Sequence, residues 1–416
     1  MAFKKKEKII ENPADVKGIL TPTEFFKKIG KDDKDAFINL SHRKALDLIP
    51  TGSWVADALI GDGTMKDVPG GFPRGHITEI VGDESAGKST LLMSGIREAQ
   101  QMGGICVLLD FEQTFHPEYA QNLGVSLDKN KLILVQPMHF QQGARIIKDS
   151  LSLRPMIIGV DSVSAMTPRE IFEGKVDEAA RPGLQAQLMS AFLGYITKYL
   201  KAANVALVFT NQLRMVLNIG KPQYPGTGGP TEESSGGKAL KFYSSLRIMM
   251  KKSTVERVER VSKITGKAEK EPVNVTVRFS IIKNKIDKPF RSAPAFIKFG
   301  EGFDNILSII KLAVNINIIK RKGAYYSFEH AGETLINVLG EAALWKFLNE
   351  NDKVFKLLQD SLVLKEDAAI KDQYNNSSEQ ESPVDEMDAM LENVGTDFVQ
   401  RTEEKRQKKE AATEEE

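Results

Sequence analysis

The stretch His76-Ile77-Thr78-Glu79-Ile80-Val81-Gly82-Asp83-Glu84-Ser85-Ala86-Gly87-Lys88-Ser89 decides the fold. It opens as a short apolar run and closes on the pattern G-x-x-x-x-G-K-[ST]. Residues Ser89–Gln101 behind it carry helical spacing. A strand, a glycine-bearing loop and a helix in that order make a phosphate-binding loop. Phosphate oxygens need many donors at close range, and glycines let the backbone wrap so that successive amides point inward. The helix N-terminus adds positive potential. In such a loop Lys88 reaches the β- and γ-phosphates of a nucleoside triphosphate, and the Ser89 hydroxyl coordinates Mg²⁺. Gly82, Asp83, Glu84, Ser85, Ala86, Gly87, Lys88, Ser89 and Thr90 are therefore the expected nucleotide contacts, with ATP and Mg²⁺ as cofactors.

Outward from the loop the pattern alternates. Apolar runs at Ile105–Phe111, Leu132–Val135, Met156–Val160 and Val205–Thr210 are separated in places by helical segments such as Gln185–Ala202. This is the signature of an α/β fold whose mostly parallel sheet is covered on both faces. Ser245–Met250, Val273–Ile282 and Ala295–Phe299 have no intervening helices and read as an antiparallel extension of the same sheet. Open parallel sheets bind ligands beyond the carboxyl ends of their strands. Asp161 stands at one such end and fits a Mg²⁺ partner acting through water, or a helix N-cap ahead of Ser162 and Ser164. Glu112 stands at another, where a carboxylate can polarise water for in-line attack on the γ-phosphate. Asp110 competes with it, and strand alternation does not decide between them. Gln212 ends a fourth strand, and its amide can sense the γ-phosphate. The Gly- and Pro-rich segment Leu213–Ser235 comes next without periodicity and is a candidate switch loop that orders on ATP binding.

The termini differ in character. Residues 1–50 are charged, with Thr23–Ile29 as a candidate helix in a packing or docking arm. The ATPase core is expected over 51–304 and a small α+β domain over 305–364, with helices at Ile306–Ala313 and Glu341–Leu348 and a strand at Tyr325–Phe328. Residues 365–416 lose apolar content and read as a disordered acidic tail. The net charge of +1 hides this division. From Glu366 to Glu416 there are 16 acidic and 6 basic residues, net −10, against 51 basic and 40 acidic before them, net +11. A basic body with an acidic tail is one layout of a nucleic-acid-binding protein.

Other classes are excluded by composition. The hydrophobic fraction is 41%, and the longest apolar runs are far too short to span a bilayer. The charged start Met1–Lys8 is no secretory signal. A single cysteine, Cys106, rules out an internal disulfide framework and a Cys-based zinc site. The expectation is a soluble cytoplasmic protein with no membrane partner.

The chain resembles the bacterial RecA recombinase family from about Leu48 to Leu364. The resemblance rests on Thr51-Gly52-Ser53, GDESAGKST at Gly82–Thr90, Asp161-Ser162-Val163 with Thr167-Pro168, and Asn211-Gln212-Leu213-Arg214-Met215. It continues through Gly236-Gly237-Lys238-Ala239-Leu240-Lys241-Phe242-Tyr243, Lys283-Asn284-Lys285-Ile286, Pro289-Phe290, Gly300-Glu301-Gly302, Lys322–Ser327 and Ala343–Leu348. It implies a DNA-dependent ATPase that forms a helical homo-oligomeric filament on single-stranded DNA, with ATP between subunits, and exchanges strands with homologous duplex. It implies a nucleoid-associated location, or the host cytoplasm for a phage-encoded member.

Roles carry over residue by residue. The resemblance makes Glu112 the catalytic carboxylate rather than Asp110, and Gln212 the γ-phosphate sensor. It makes Lys283 and Lys285 the lysines that reach the neighbouring subunit's ATP, while Tyr119 and Phe299 pack against the adenine. Two DNA loops are implied at about Glu173–Gly183 and Leu213–Gly237, with Arg181, Gly183, Arg214, Met215, Gly236 and Gly237 as contacts. Lys251, Lys252 and Arg278 match a second basic DNA patch. Departures stand beside the matches: two arginines common after the first loop are Gln187 and Gly194, an acidic adenine contact is His116, and the N-terminal arm resembles the family's poorly. A helicase motor would usually lack the Lys283–Lys285 pair followed by Pro289-Phe290. A regulator with lost chemistry, or a merely structural DNA coat, would not need Lys88, Glu112 and Gln212 together.

Overall fold

The computed structural model describes residues 46–61, 70–173, 183–216, 231–234, 237–261 and 268–363. The candidate helix Thr23–Ile29, Arg181, Gly236, residues 217–230 and the acidic tail lie outside the described residues.

Short pairing of β1 (Leu48–Ile49) with β2 (Phe72–Pro73) precedes the main sheet. That sheet holds ten strands: β3 (Ile77–Gly82), β4 (Cys106–Asp110), β5 (Leu132–Val135), β6 (Ile157–Asp161), β7 (Ala206–Val216), β8 (Thr231–Ser234), β9 (Leu246–Val261), β10 (Ala268–Asn284), β11 (Ser292–Lys298) and β12 (Gly302–Phe303). Their order is β12-β11-β10-β9-β3-β7-β6-β4-β5, with β8 added to β7. From β9 to β5 every neighbour is parallel, and β10, β11 and β12 continue antiparallel.

Helices cover both faces because the parallel strands are apolar on both sides. On one face α1 (Trp54–Ile60), α2 (Lys88–Gln101) and α3 (Pro117–Asn122) join a cluster containing Ile80, Leu91, Leu92, Ile96, Leu108 and Phe279. On the other, α4 (Phe140–Ser150), α6 (Leu184–Ala203) and α7 (Lys238–Tyr243) join Ile77, Leu109, Ile158, Leu193, Phe209 and Leu240. The four-residue α5 (Arg169–Phe172) lies between β6 and α6.

The strands expected from sequence are present within one or two residues over β3 to β6. Two expectations need correction. Ser245–Met250 is not antiparallel: as β9 it pairs parallel to β3, Thr78 opposite Leu246 and Gly82 opposite Met250. Its crossover helix α7 has six residues, too few to show periodicity. The segment after Gln212 also begins as strand, since Leu213–Val216 of β7 pairs with Thr231–Ser234.

Residues 305–363 form the small α+β region. α8 (Asn305–Asn315), the antiparallel strands β13 (Lys320–Lys322), β14 (Tyr325–His330) and β15 (Glu333–Leu339), α9 (Glu341–Glu350) and a helix over 352–363 enclose Ile309, Phe328, Ile336, Leu344, Leu348 and Leu358. Two flanking strands and the last helix exceed the sequence reading; exposed Lys320–Lys322 carries no apolar alternation to reveal it. Asp304 joins this region to the sheet: its N–H donates to the Phe296 carbonyl of β11 at 2.9 Å, while its carboxylate caps α8 by accepting the Leu307 N–H at 2.8 Å and accepts from Trp345 Nε1 at 3.1 Å.

Candidate functional site

The phosphate loop hangs between β3 and α2. Gly82 cannot be another residue, because a Cβ there would lie 1.9 Å from the Met250 carbonyl oxygen of β9. Gly87 sits at φ +87°, in the left-handed region glycine favours, and turns the chain into α2. Lys88 Nζ lies inside the loop and donates to the Gly82 carbonyl at 3.1 Å and the Asp83 carbonyl at 2.5 Å. Burial pulls the Lys88 ammonium below its ordinary pKa, while Asp161, Glu112, Asp83 and Glu84 act to hold it up. The lysine thus sits within electrostatic reach of all four carboxylates.

Asp161, at the end of β6, accepts a hydrogen bond from Thr210 Oγ1 at 2.5 Å, and the Ser89 side chain lies close enough to act against the rise of its pKa. Burial raises its pKa, and Glu112 and Asp110 add to the rise. The two expected metal residues, Ser89 and Asp161, are therefore side by side. Among the described residues no cluster of three or more His, Cys, Asp or Glu holds a metal alone. A hydroxyl and one carboxylate suit a cation that keeps waters and shares its ligands with phosphates, which is the habit of Mg²⁺.

Glu112 and Asp110 now separate. Asp110 is buried and accepts from the Thr114 N–H at 3.3 Å, the Phe115 N–H at 3.0 Å and Gln136 Nε2 at 3.1 Å, so it braces the loop after β4. Glu112 is exposed and accepts a 2.5 Å bond from Ser162 Oγ, with Ser164 Oγ 2.5 Å further along. Sequence reasoning missed Ser162, Ser164 and Thr210 as supporting groups; hydroxyls beside strand-end carboxylates were the available signal.

Gln212 stands directly opposite Gly82 in the β3–β7 register, so the fourth strand end meets the start of the loop. Lys283 and Lys285 do not join this group. A register shift between Ile281 and Lys283 re-aims Lys283. Its ammonium donates to the Lys241 and Phe242 carbonyls at the end of α7, at 2.7 and 2.9 Å. Lys283 is opposite Arg247, which is opposite Glu79, so it lies about 10 Å down β3 from Gly82 at ~3.3 Å per residue. Lys285 lies lower still, its N–H bonded to Ser245, whose own N–H reaches Ile77.

A cleft of about 310 Å³ opens beside the loop, lined by Ser85, Gly87, Lys88, Ser89, Thr90, Tyr119, Val275, Ile297, Phe299 and Gly300. Tyr119 OH is held by Thr90 Oγ1 at 2.8 Å, and Phe299 is half exposed at 49%. Both expected aromatic residues therefore line the same cleft as the phosphate loop. The cleft falls within the ordinary size range for a small-molecule site, about 300–1,000 Å³. His116 caps α3, its Nδ1 accepting the Tyr119 N–H at 3.3 Å.

Of the expected DNA contacts, Gly183 caps the start of α6 at φ +88°, and Gly237 precedes α7 at φ +74°. The backbones of Arg214 and Met215 pair with Glu233 and Glu232. Lys251 and Arg278 face each other across β9 and β10, and the adjacent Lys252 donates its N–H to Asp83 Oδ2 at 3.3 Å. The basic strand pair thus adjoins the phosphate loop.

Comparison with known proteins gives a consistent result. A family model described as the RecA N-terminal domain matches residues 23–304. A protein of Thermotoga sp. (strain RQ2) named Protein RecA is 35% identical over 311 residues, covering 74% of this chain and 80% of that protein. A Protein RecA of Methylobacterium sp. (strain 4-46) is 36% identical over 303 residues, 73% of this chain and 74% of that protein. Another, of Borrelia duttonii (strain Ly), is 36% identical over 299 residues, 71% and 76% of the two chains.

Proposed function

The chain belongs to the RecA family, and on that premise we propose that it is an ATP-dependent DNA recombinase: it polymerises on single-stranded DNA and pairs that strand with homologous duplex. We read it as an arm over 1–50, an ATPase core over 51–304, a small domain over 305–364 and an acidic tail over 365–416, acting in the cytoplasm with DNA. No described helix is long and apolar enough to cross a membrane.

One observation carries the reading. Lys88, Ser89, Asp161, Glu112 and Gln212 converge at the carboxyl ends of the strands, whereas Lys283, on β10, and Lys285 just after it stand level with the lower part of β3, two strands away. Lys88 and the loop amides bind the β- and γ-phosphates. Ser89 and Asp161 hold Mg²⁺, which when bound neutralises phosphate charge. Glu112, steadied by Ser162, orients water and accepts its proton. Tyr119 and Phe299 flank the base. Family membership assigns Lys283 and Lys285 to the neighbouring subunit's ATP, like an arginine finger supplied in trans, and their placement away from their own loop agrees with that role. Hydrolysis then depends on filament assembly.

DNA contacts obey the same logic. Lys251 opposite Arg278 puts two cations side by side on adjacent strands, where a polyanion can lie across both. Backbone contacts of this kind carry no base preference, so homology is read by base pairing. ATPase activity should rise on adding single-stranded DNA and fall by about a thousandfold or more in Lys283→Ala or Lys285→Ala. DNA-independent turnover at the full rate in either variant would contradict the assignment.

A further inference from the structure

Glu79 lies in the middle of the strand that leads into the phosphate loop, fully buried with no exposed surface. A carboxylate in an apolar strand costs stability unless its partners are well placed. Its partners are specific. Oε1 accepts from Asn211 Nδ2 at 2.9 Å, and Oε2 accepts from Arg247 Nε at 2.5 Å, so the carboxylate joins β7, β3 and β9. Asn211 Oδ1 in turn accepts the Gln212 N–H at 2.9 Å. Both ends of the Asn211 amide are therefore occupied, one by Glu79 and the other by the residue that faces Gly82.

We infer that Glu79 is a positioning residue, which fixes Gln212 against the phosphate loop by clamping the side-chain amide of Asn211. Arg247 compensates the buried charge and lets the carboxylate stay in place. The inference rests on the reading of Gln212 as the γ-phosphate sensor. It assigns no contact between Glu79 and ATP: Glu79 acts through Asn211 and Gln212 alone.

The test is a pair of mutant cycles read by steady-state ATPase with saturating single-stranded DNA. Asn211→Ala should lower kcat about tenfold while KM for ATP stays within about twofold. Glu79→Met combined with Arg247→Met removes the carboxylate with its counter-charge, leaving neither unpaired, and should give a similar fall. Added to Gln212→Ala, each should change kcat by less than about twofold, because the clamp has nothing left to position. Losses that multiply in the Gln212→Ala background would overturn the inference and leave the sensor reading intact. An undiminished Gln212→Ala would overturn both. If the double-methionine variant does not fold, the Asn211→Ala cycle decides alone, and undiminished kcat in Asn211→Ala would refute the clamp.

Discussion

At the scale of single residues, the candidate site brings one buried lysine within reach of several carboxylates. Lys88→Ala should abolish ATP hydrolysis, measured by phosphate release; normal turnover would remove the phosphate-loop assignment. Asp161 gives a pH-dependent prediction. Burial raises its pKa, so folding favours its protonated form, and the stability it supports below the ordinary carboxylate range is lost as pH rises through the folded value. Without nucleotide, Asp161→Asn should therefore raise the apparent Tm at pH 7 by on the order of 2 °C and lose that advantage near pH 4. Thermal melts at the two pH values check this, and a lower Tm at pH 7 would show that the Thr210 bond outweighs burial. At this scale the sequence was informative where chemistry forces a residue type. The loop that Gly82, Gly87 and Lys88 form between β3 and α2 was legible, because few residue types allow so tight a turn into a helix. Glu79, Asn211 and Arg247 were not, because their pairing depends on a strand register that no spacing in the chain reveals.

Elements show a similar division. β3 to β6 and α2 were legible because continuous apolar strands alternating with long helices produce a strong periodic signal. The direction of β9 was not, since it rests on the six-residue α7. β13 and β15 were missed because edge strands of a small sheet expose most of their side chains. The β9–β10 pair makes its own prediction. Removing one of two facing cations, by Lys251→Gln or Arg278→Gln, should weaken duplex binding across all sequences alike. Each variant should also reduce the slope of log affinity against log salt by about 1. An unchanged salt slope in both variants would detach this strand pair from DNA.

For the whole molecule, the opposed charges acquire a purpose. A body of net +11 and a terminal segment of net −10 are expected to attract each other, so the proposed role of the segment is to compete with duplex DNA for basic surface. Deleting 366–416 should tighten duplex binding and steepen its salt dependence; no change in either would leave the segment idle. The shared site makes a second prediction at this scale. Inactive Lys88→Ala and inactive Lys285→Ala subunits should regain part of the ATPase activity when mixed, because some interfaces then join an intact loop to an intact lysine. No recovery would count against ATP lying between subunits. Strand exchange itself is read out by D-loop formation. The protein with ATP, Mg²⁺ and single-stranded DNA should yield a joint molecule with homologous supercoiled duplex, and none with heterologous duplex or with Lys88→Ala. Filaments that form on single-stranded DNA yet give no joint molecule with the homologous duplex would contradict it.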